Sequence, residues 1–180
     1  ATKGVVWTPG ETVVAGIGQG YVLTTPIQLA VMTARIANGK DAVVPSLLST
    51  STSAGRNFAP LDVSESALAV IRRGMSAVLY GGAGTANRYK LSKKYGGMAG
   101  KTGTVQVKRI TLAQRERGIT KNIDRPWKER DHALFVAYAP LKNPRYAISV
   151  VVEHGGSGSS TAAPVARDIL AKTIAERGLT

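Results

Sequence analysis

Gly96–Val107 has the sequence GGMAGKTGTVQV, in which a glycine-rich loop leads into a run rich in β-branched residues. A Gly-Lys-Thr triplet also occurs in phosphate-binding loops, but such a loop needs another glycine five residues before Gly100 and a helix after the threonine. Tyr95 occupies that earlier position, and Gly103–Val107 has the period-two pattern of a strand. The stretch therefore predicts a loop-to-strand junction that presents Lys101 at the head of a β-strand.

A Lys-Thr-Gly triplet at the start of a strand suits the recognition of an extended peptide. The strand edge can pair with the peptide backbone, and Gly103 allows the two backbones to approach closely. Lys101 supplies a fixed positive charge, while Thr102 and Thr104 supply hydroxyl groups for a substrate carboxylate. The Thr104 N–H can point at a developing oxyanion. The triplet alone also fits an ordinary edge strand, so the interpretation depends on the rest of the chain.

The composition predicts one globular domain. The 180 residues are 43% hydrophobic and 19% charged. The sequence has neither an apolar run long enough to span a membrane nor an export leader, so we expect the segment as given to be soluble. It has no cysteine, and its two histidines, His132 and His154, lack the spacing of zinc ligands. We therefore expect neither a metal nor a cofactor.

The net charge of +13 is concentrated between Asn87 and Asp131, a segment with thirteen Lys or Arg residues and four acids. Nucleic acid is the generic partner of such a segment. However, the aromatic interleaving of RNA-binding modules and the pattern of a recognition helix are both missing. A solvated basic loop near an anionic wall polymer or lipid headgroups is the simpler interpretation. We expect no nucleic acid partner, although a non-catalytic basic nucleic-acid-binding module stays open as an alternative.

Capping and stop signals predict three helices. These lie between Thr25 and Gly39, between Ser64 and Gly81, and from Pro164 to Gly178. The first has almost no polar face, so we expect it to be buried on nearly all sides. A loop at Ala1–Val14, a short strand at Ala42–Val44 and a short helix at Thr85–Tyr89 are also expected.

Two further runs, His132–Tyr138 and Tyr146–Glu153, are apolar on both faces, as in strands covered by helices on both sides. The short, proline-containing connection between them favours an antiparallel pair. Lys108–Arg130 is predicted to be a long polar insertion with Trp127 as its one large apolar anchor. The expected fold class is therefore α+β, an antiparallel sheet covered by helices.

Four sequence blocks, in this order, resemble those of class B penicillin-binding proteins, and the similarity extends over nearly the whole chain. They are Ile17–Gly20 before the Thr-Pro-led helix, Lys101–Thr104, Asp131–Phe135, and Gly155–Gly158 before the last helix. The resemblance implies a β-lactamase/transpeptidase-like fold whose motif strand is a sheet edge beside the active-site groove. It also implies that Lys101, Thr102 and Thr104 bind the carboxylate of a substrate or penicillin. The Thr104 N–H would form half of the oxyanion hole.

The family also requires a nucleophilic Ser-x-x-Lys and a Ser-x-Asn upstream of the glycine block, and this sequence has neither. We therefore interpret residues 1–180 as the C-terminal portion of a transpeptidase domain, inactive by itself because it lacks the nucleophile. On this interpretation Tyr146–Glu153 should expose a strand edge that the N-terminal portion would cover. Such an edge is a hazard for self-association.

The resemblance implies that the parent protein cross-links peptidoglycan by serine acyl transfer and releases a terminal D-alanine. It implies a membrane-anchored protein at the periplasmic face of the bacterial inner membrane. The expected partners are the peptidoglycan stem peptide, β-lactam antibiotics and membrane proteins of the elongation complex. A D,D-carboxypeptidase or a penicillin-sensing receptor of the same fold is an alternative, because the sequence does not separate water from amine acceptors.

Overall fold

The helices begin where the sequence supplies caps. The side chains of Thr25 and Ser64 each accept a hydrogen bond from the backbone N–H three residues later, and Pro26 occupies the first turn. The computed structural model describes residues 6–47, 58–108, 111–118 and 121–178. Its helices are α1 (Pro9–Gly16), α2 (Pro26–Asn38), α3 (Glu65–Tyr80), α4 (Leu112–Glu116) and α5 (Ala163–Arg177). The three predicted helices are confirmed as α2, α3 and α5.

The strands form one antiparallel sheet in the order β1-β2-β3. They are β1 (Ala99–Val105), β2 (His132–Ala139) and β3 (Tyr146–Val152). In the β1–β2 register Lys101 lies opposite Val136, and Gly103 lies opposite Leu134. Within the described part of the chain, β1 and β3 are therefore the two edges of the sheet. The edge position predicted for Tyr146–Glu153 is confirmed for Tyr146–Val152, while its cover by an N-terminal portion and self-association through it stay predictions.

Helices cover both faces of the sheet, as the apolar strands predicted. On one face Phe135 and Val150 pack in a buried cluster with Leu170 and Ile174 of α5. On the other face Tyr138 and Ala99 pack with Ala37 of α2 and Met75 of α3. The α+β class is thus confirmed. None of the described helices is long and apolar enough to cross a membrane.

The expectation that α2 is buried on nearly all sides is wrong. Only Thr33 and Ala37 of this helix are buried. On the opposite side Ile27 is 57% exposed and Met32 is 45% exposed. The physical reason is that α2 lies against one face of the sheet, and a helix packed on one layer buries a stripe, not its whole circumference.

Three local expectations for irregular segments also need correction. Residues 9–16 form α1 instead of a loop, because Pro9 starts the helix and the Glu11 carboxylate accepts a hydrogen bond from the Thr8 N–H at the cap. Ala42–Val44 is not a strand, and the described part of that segment has only an isolated bridge between Asp41 and Pro60. The short helix expected at Thr85–Tyr89 is confirmed only as a single 3₁₀ turn at Asn87–Tyr89.

Candidate active site at the β1 edge

Two glycines set the direction in which the chain enters β1. Gly96 and Gly97 have positive φ values of 76° and 70°, a backbone conformation that favours glycine. A Cβ at Gly96 would lie 2.5 Å from Cβ of Pro140, so this position also lacks room for a side chain. Met98, which follows, is fully buried, and its N–H donates to Tyr80 Oη at 3.3 Å. The start of β1 is therefore fixed by packing before the Lys-Thr-Gly triplet is reached.

The triplet itself lies at the free edge of the sheet. Lys101 is exposed, and its Nζ donates to the carbonyl oxygen of Thr102 at 2.8 Å. The carbonyl oxygen of Thr104 accepts a hydrogen bond from Nε2 of Gln19 at 3.0 Å. Neither donor belongs to β2, and backbone groups of alternate residues point to the same side of a strand. The outer edge of β1 is thus formed by the backbone of Thr102 and Thr104, with the Lys101 ammonium beside it.

The predicted site residues do not all point the same way. Side chains alternate along a strand, so Lys101 lies on the face of α2 and α3 while Thr102 and Thr104 lie on the face of α5. The three meet only at the edge, where Lys101 bends back toward the Thr102 carbonyl. Their roles in carboxylate binding and in the oxyanion hole stay predictions.

Sequence reasoning missed Thr85 as a neighbour of this site. Its Oγ1 lies 3.0 Å from Oγ1 of Thr102, within hydrogen-bonding distance. Thr85 follows the Gly-rich turn after α3, and no local pattern links it to a strand seventeen residues later. The contact fixes the Thr102 hydroxyl on the α5 side of the edge.

Glycine-rich residues before α5 cover the centre of the motif strand. A single π-helical turn, Gly158–Ala162, precedes α5. Gly158 lies so close to β1 and β2 that a Cβ there would overlap the carbonyl oxygens of Gly103 and Leu134. Gly103 has no side chain and the Leu134 side chain points to the opposite face, so the backbone of both residues is bare for this contact. The Gly155–Gly158 block therefore supports both the Lys101–Thr104 block and the Asp131–Phe135 block through backbone packing.

Replacing Gly158 by alanine is expected to destabilise the protein by about 1–3 kcal/mol, the usual range for overpacking a tight site. Urea unfolding of the purified chain measures the change. Gly74 provides a matched control, since it lies within α3 and a Cβ there would meet nothing within 4 Å. Gly74→Ala should stabilise the protein by about 0.5–1 kcal/mol through its higher helix propensity. Equal effects of the two substitutions would contradict the close packing of Gly158 on β1.

The exit of β1 is held by an ion pair that the sequence did not predict. Arg125 is only 4% exposed, and its Nη1 lies 3.1 Å from Oδ1 of Asp131. Its Nη2 donates to the carbonyl oxygen of Lys108 at 2.6 Å, and Oδ1 of Asp131 also accepts from the Val107 N–H at 3.2 Å. These bonds tie the strand exit to the segment before β2.

Trp127 is not the anchor of the insertion, which corrects the expectation from the sequence. Its side chain is 57% exposed and packs on His154, with 4.5 Å between the ring centroids. His154 in turn lies edge-on to His132, with centroids 4.7 Å apart. Among the described residues no three His, Cys, Asp or Glu side chains could hold a metal ion. The buried attachment of the insertion is instead the ion pair of Arg125 with Asp131, beside two hydrogen bonds between Asn122 and Asp131.

Comparison with known proteins identifies the class to which this chain belongs. Residues 3–171 match the family model described as the penicillin binding protein transpeptidase domain. The chain therefore belongs to the penicillin-binding protein transpeptidase domain family, and the resemblance of its four blocks and its expected fold are confirmed.

The comparisons also point to penicillin-binding protein 2 (PBP2) in particular. The chain is 37% identical over 175 residues to the peptidoglycan D,D-transpeptidase MrdA of Salmonella typhimurium, a match that covers 91% of this chain and 27% of the relative. It is similar to the crystal structure of Pseudomonas aeruginosa PBP2 in complex with WCK 5153, with a TM-score of 0.68 and 35% identity. That match covers 98% of this chain and 35% of the solved one.

A second similar structure is the complex between PBP2 and MreC from Helicobacter pylori. Its TM-score is 0.68 at 30% identity, and the match covers 97% of this chain and 29% of that one. The chain thus spans about a quarter of the length of the curated relatives it matches.

Proposed function

We propose that this chain is the C-terminal portion of the transpeptidase domain of a PBP2-like peptidoglycan D,D-transpeptidase, and that β1 is its substrate-binding strand. Family membership supports the class of reaction. The observation that carries the assignment of the strand is the Lys101 ammonium beside the outward-facing backbone of Thr102 and Thr104. A fixed cation next to strand-edge backbone groups that do not pair with another strand is what a peptide with a terminal carboxylate requires.

The proposed reaction is acyl transfer through a serine that lies outside residues 1–180. The serine oxygen attacks the carbonyl carbon of the penultimate D-alanine, and the Thr104 N–H stabilises the resulting oxyanion. The carbon–nitrogen bond then breaks, and terminal D-alanine leaves with a proton on its amine. An amine of a second stem peptide attacks the ester, forms the cross-link and releases the serine. A β-lactam undergoes the same first step, but its leaving nitrogen stays tethered in the opened ring.

In this scheme the edge of β1 orients the donor peptide. Lys101 and the hydroxyl groups of Thr102 and Thr104 bind the terminal carboxylate. Gly103 provides the flat surface along which the peptide lies, since its place opposite Leu134 leaves little room for a side chain: a Cβ there would be 3.2 Å from Cβ of Leu134. We place the protein at the periplasmic face of the inner membrane, where peptidoglycan is assembled, with membrane proteins of the elongation complex as partners. The complex of the similar Helicobacter pylori protein with MreC supports the latter.

Replacing Lys101 by alanine in the complete protein that contains this chain should slow acylation by penicillin by roughly ten- to more than hundredfold. The reason is that a hydrogen bond to a charged group contributes about 1.5–3 kcal/mol, and the β-lactam carboxylate would lose this partner. The second-order rate of labelling by a fluorescent penicillin is the measurement.

Lys93→Ala is the matched control, because Lys93 is an exposed lysine in the 3₁₀ turn that precedes β1 and lies outside the proposed site. Its labelling rate should equal that of the parent protein. Equal rates for Lys101→Ala and the parent would refute the assignment of β1. Analysis of the products separates the alternatives, since a carboxypeptidase releases D-alanine without a cross-link. Salt-dependent retention on DNA without penicillin labelling would instead favour the basic binding module.

A further inference from the structure

The backbone acceptor at the centre of the proposed substrate edge is occupied by a side chain from a distant part of the chain. Gln19, which is partly buried, lies 85 residues before Thr104 and donates from Nε2 to its carbonyl oxygen at 3.0 Å. A peptide paired with β1 would place one of its own N–H groups on this oxygen. The Gln19 carboxamide therefore makes the bond that a substrate backbone amide would make.

The side chain and a paired substrate strand compete for the same space. A carbonyl oxygen can accept two hydrogen bonds, so the number of lone pairs does not decide the matter. Neighbouring strands, however, lie about 4.8 Å apart in the hydrogen-bonding direction. A carboxamide whose nitrogen is 3.0 Å from the Thr104 oxygen lies within that gap. Binding of an extended peptide therefore requires Gln19 to leave.

The segment that carries Gln19 is built so that it can move. Its backbone hydrogen bonds are local, with Gly18 N–H donating to Ala15 and Gln19 N–H donating to Val14. Gly18 has a φ of 74°, and a Cβ there would meet nothing within 4 Å. The preceding helix α1 has no buried residue. Segments with few buried contacts open at low free-energy cost.

We propose that Gln19 is a substrate-mimicking latch, whose side-chain amide holds the Thr104 acceptor until the donor peptide or a penicillin displaces it. This inference rests on the function proposed above. The latch closes the edge in the resting protein, so the measured acylation rate is the intrinsic rate multiplied by the fraction of molecules in which Gln19 is released. Removing the amide donor should raise that fraction.

The test is Gln19→Met in the complete protein, since methionine keeps the length of the side chain and removes the N–H donor. The second-order rate of labelling by a fluorescent penicillin with an acylamino side chain should rise about two- to tenfold, the population shift that corresponds to one neutral hydrogen bond. Gln114→Met is the matched control. Gln114 is also partly buried and also loses its side-chain hydrogen bonds, in which its Oε1 accepts from the N–H and the hydroxyl of Thr111 in the cap of α4. Its labelling rate should not change.

A labelling rate for Gln19→Met that equals or falls below that of the parent would overturn the latch. A crystal structure of the penicillin adduct gives a second measurement, in which Gln19 Nε2 should no longer contact the Thr104 oxygen; a retained contact would also overturn it. The two proposals fail differently. If the parent is labelled in a Lys101-dependent manner but Gln19→Met is no faster, only the latch is wrong. If the folded parent is not labelled, the proposed function itself is wrong.

Discussion

Arg125→Ala is expected to destabilise the protein by about 3–5 kcal/mol, the range for removing one partner of a buried ion pair. Arg125 is 4% exposed, and its guanidinium binds both the Asp131 carboxylate and the Lys108 carbonyl oxygen. Without it, the Asp131 carboxylate keeps its bonds to Asn122 and to the Val107 N–H but loses the one ion-pair partner it has among the described residues. A typical domain is stable by only 5–15 kcal/mol, so a large part of the folding free energy would be lost. Urea unfolding followed by circular dichroism measures it.

Arg167→Ala is the control for this experiment. Arg167 also pairs with a carboxylate, that of Asp168 at 2.7 Å, but both side chains are accessible to solvent. The hydrogen bond between them raises the pKa of Arg167 and lowers the pKa of Asp168, yet solvent screens the pair. Its loss should cost about 0–1 kcal/mol. Similar losses for Arg125→Ala and Arg167→Ala would show that burial of the Arg125 pair does not stabilise the β1 exit.

The elements that sequence reasoning predicted well are those with local signals. Thr25 and Pro26 at the start of α2 and the left-handed Gly39 at its end have side-chain or backbone properties that act within a few residues. The alternation of β-branched residues in β1 is likewise a signal that acts within a few residues. α1 carried such a signal too, since the Glu11 carboxylate caps the Thr8 N–H. The helix α1 was not predicted because a helix with no buried residue has no strong apolar periodicity.

The sequence could predict only those parts of the candidate site that depend on residues close together in the chain. The order Lys101, Thr102, Gly103, Thr104 identified the strand, but the partners of these residues come from far along the sequence. Gln19, Thr85 and Gly158 reach β1 through the tertiary fold, and their residue types do not indicate that contact. Arg125 was expected to be solvated, as charged residues usually are. Arg125 is buried because it pairs with Asp131, the residue directly before β2. No periodic pattern in the sequence indicates this pairing.

The 180-residue chain by itself should form no covalent adduct with any β-lactam. It has the proposed carboxylate-binding edge, but none of its serines is followed by lysine three residues later, so none has the partner that activates the nucleophile in this family. An oxyanion donor such as the Thr104 N–H accelerates the reaction roughly 10²- to 10³-fold only when a nucleophile attacks the carbonyl. Intact-protein mass spectrometry after incubation with excess penicillin should give an unmodified mass.

A longer protein that contains this chain together with a Ser-x-x-Lys is the positive control, and it should gain the mass of one penicillin at that serine. The difference between the two samples is then all or none, because binding at the β1 edge cannot replace the missing attacking oxygen. An adduct at a single serine of the 180-residue chain would identify a nucleophile within these residues and would contradict the assignment of the serine to another segment. An unmodified chain and a labelled longer protein would instead mean that the active site is assembled from two segments, of which β1 supplies the substrate edge and the other supplies the serine.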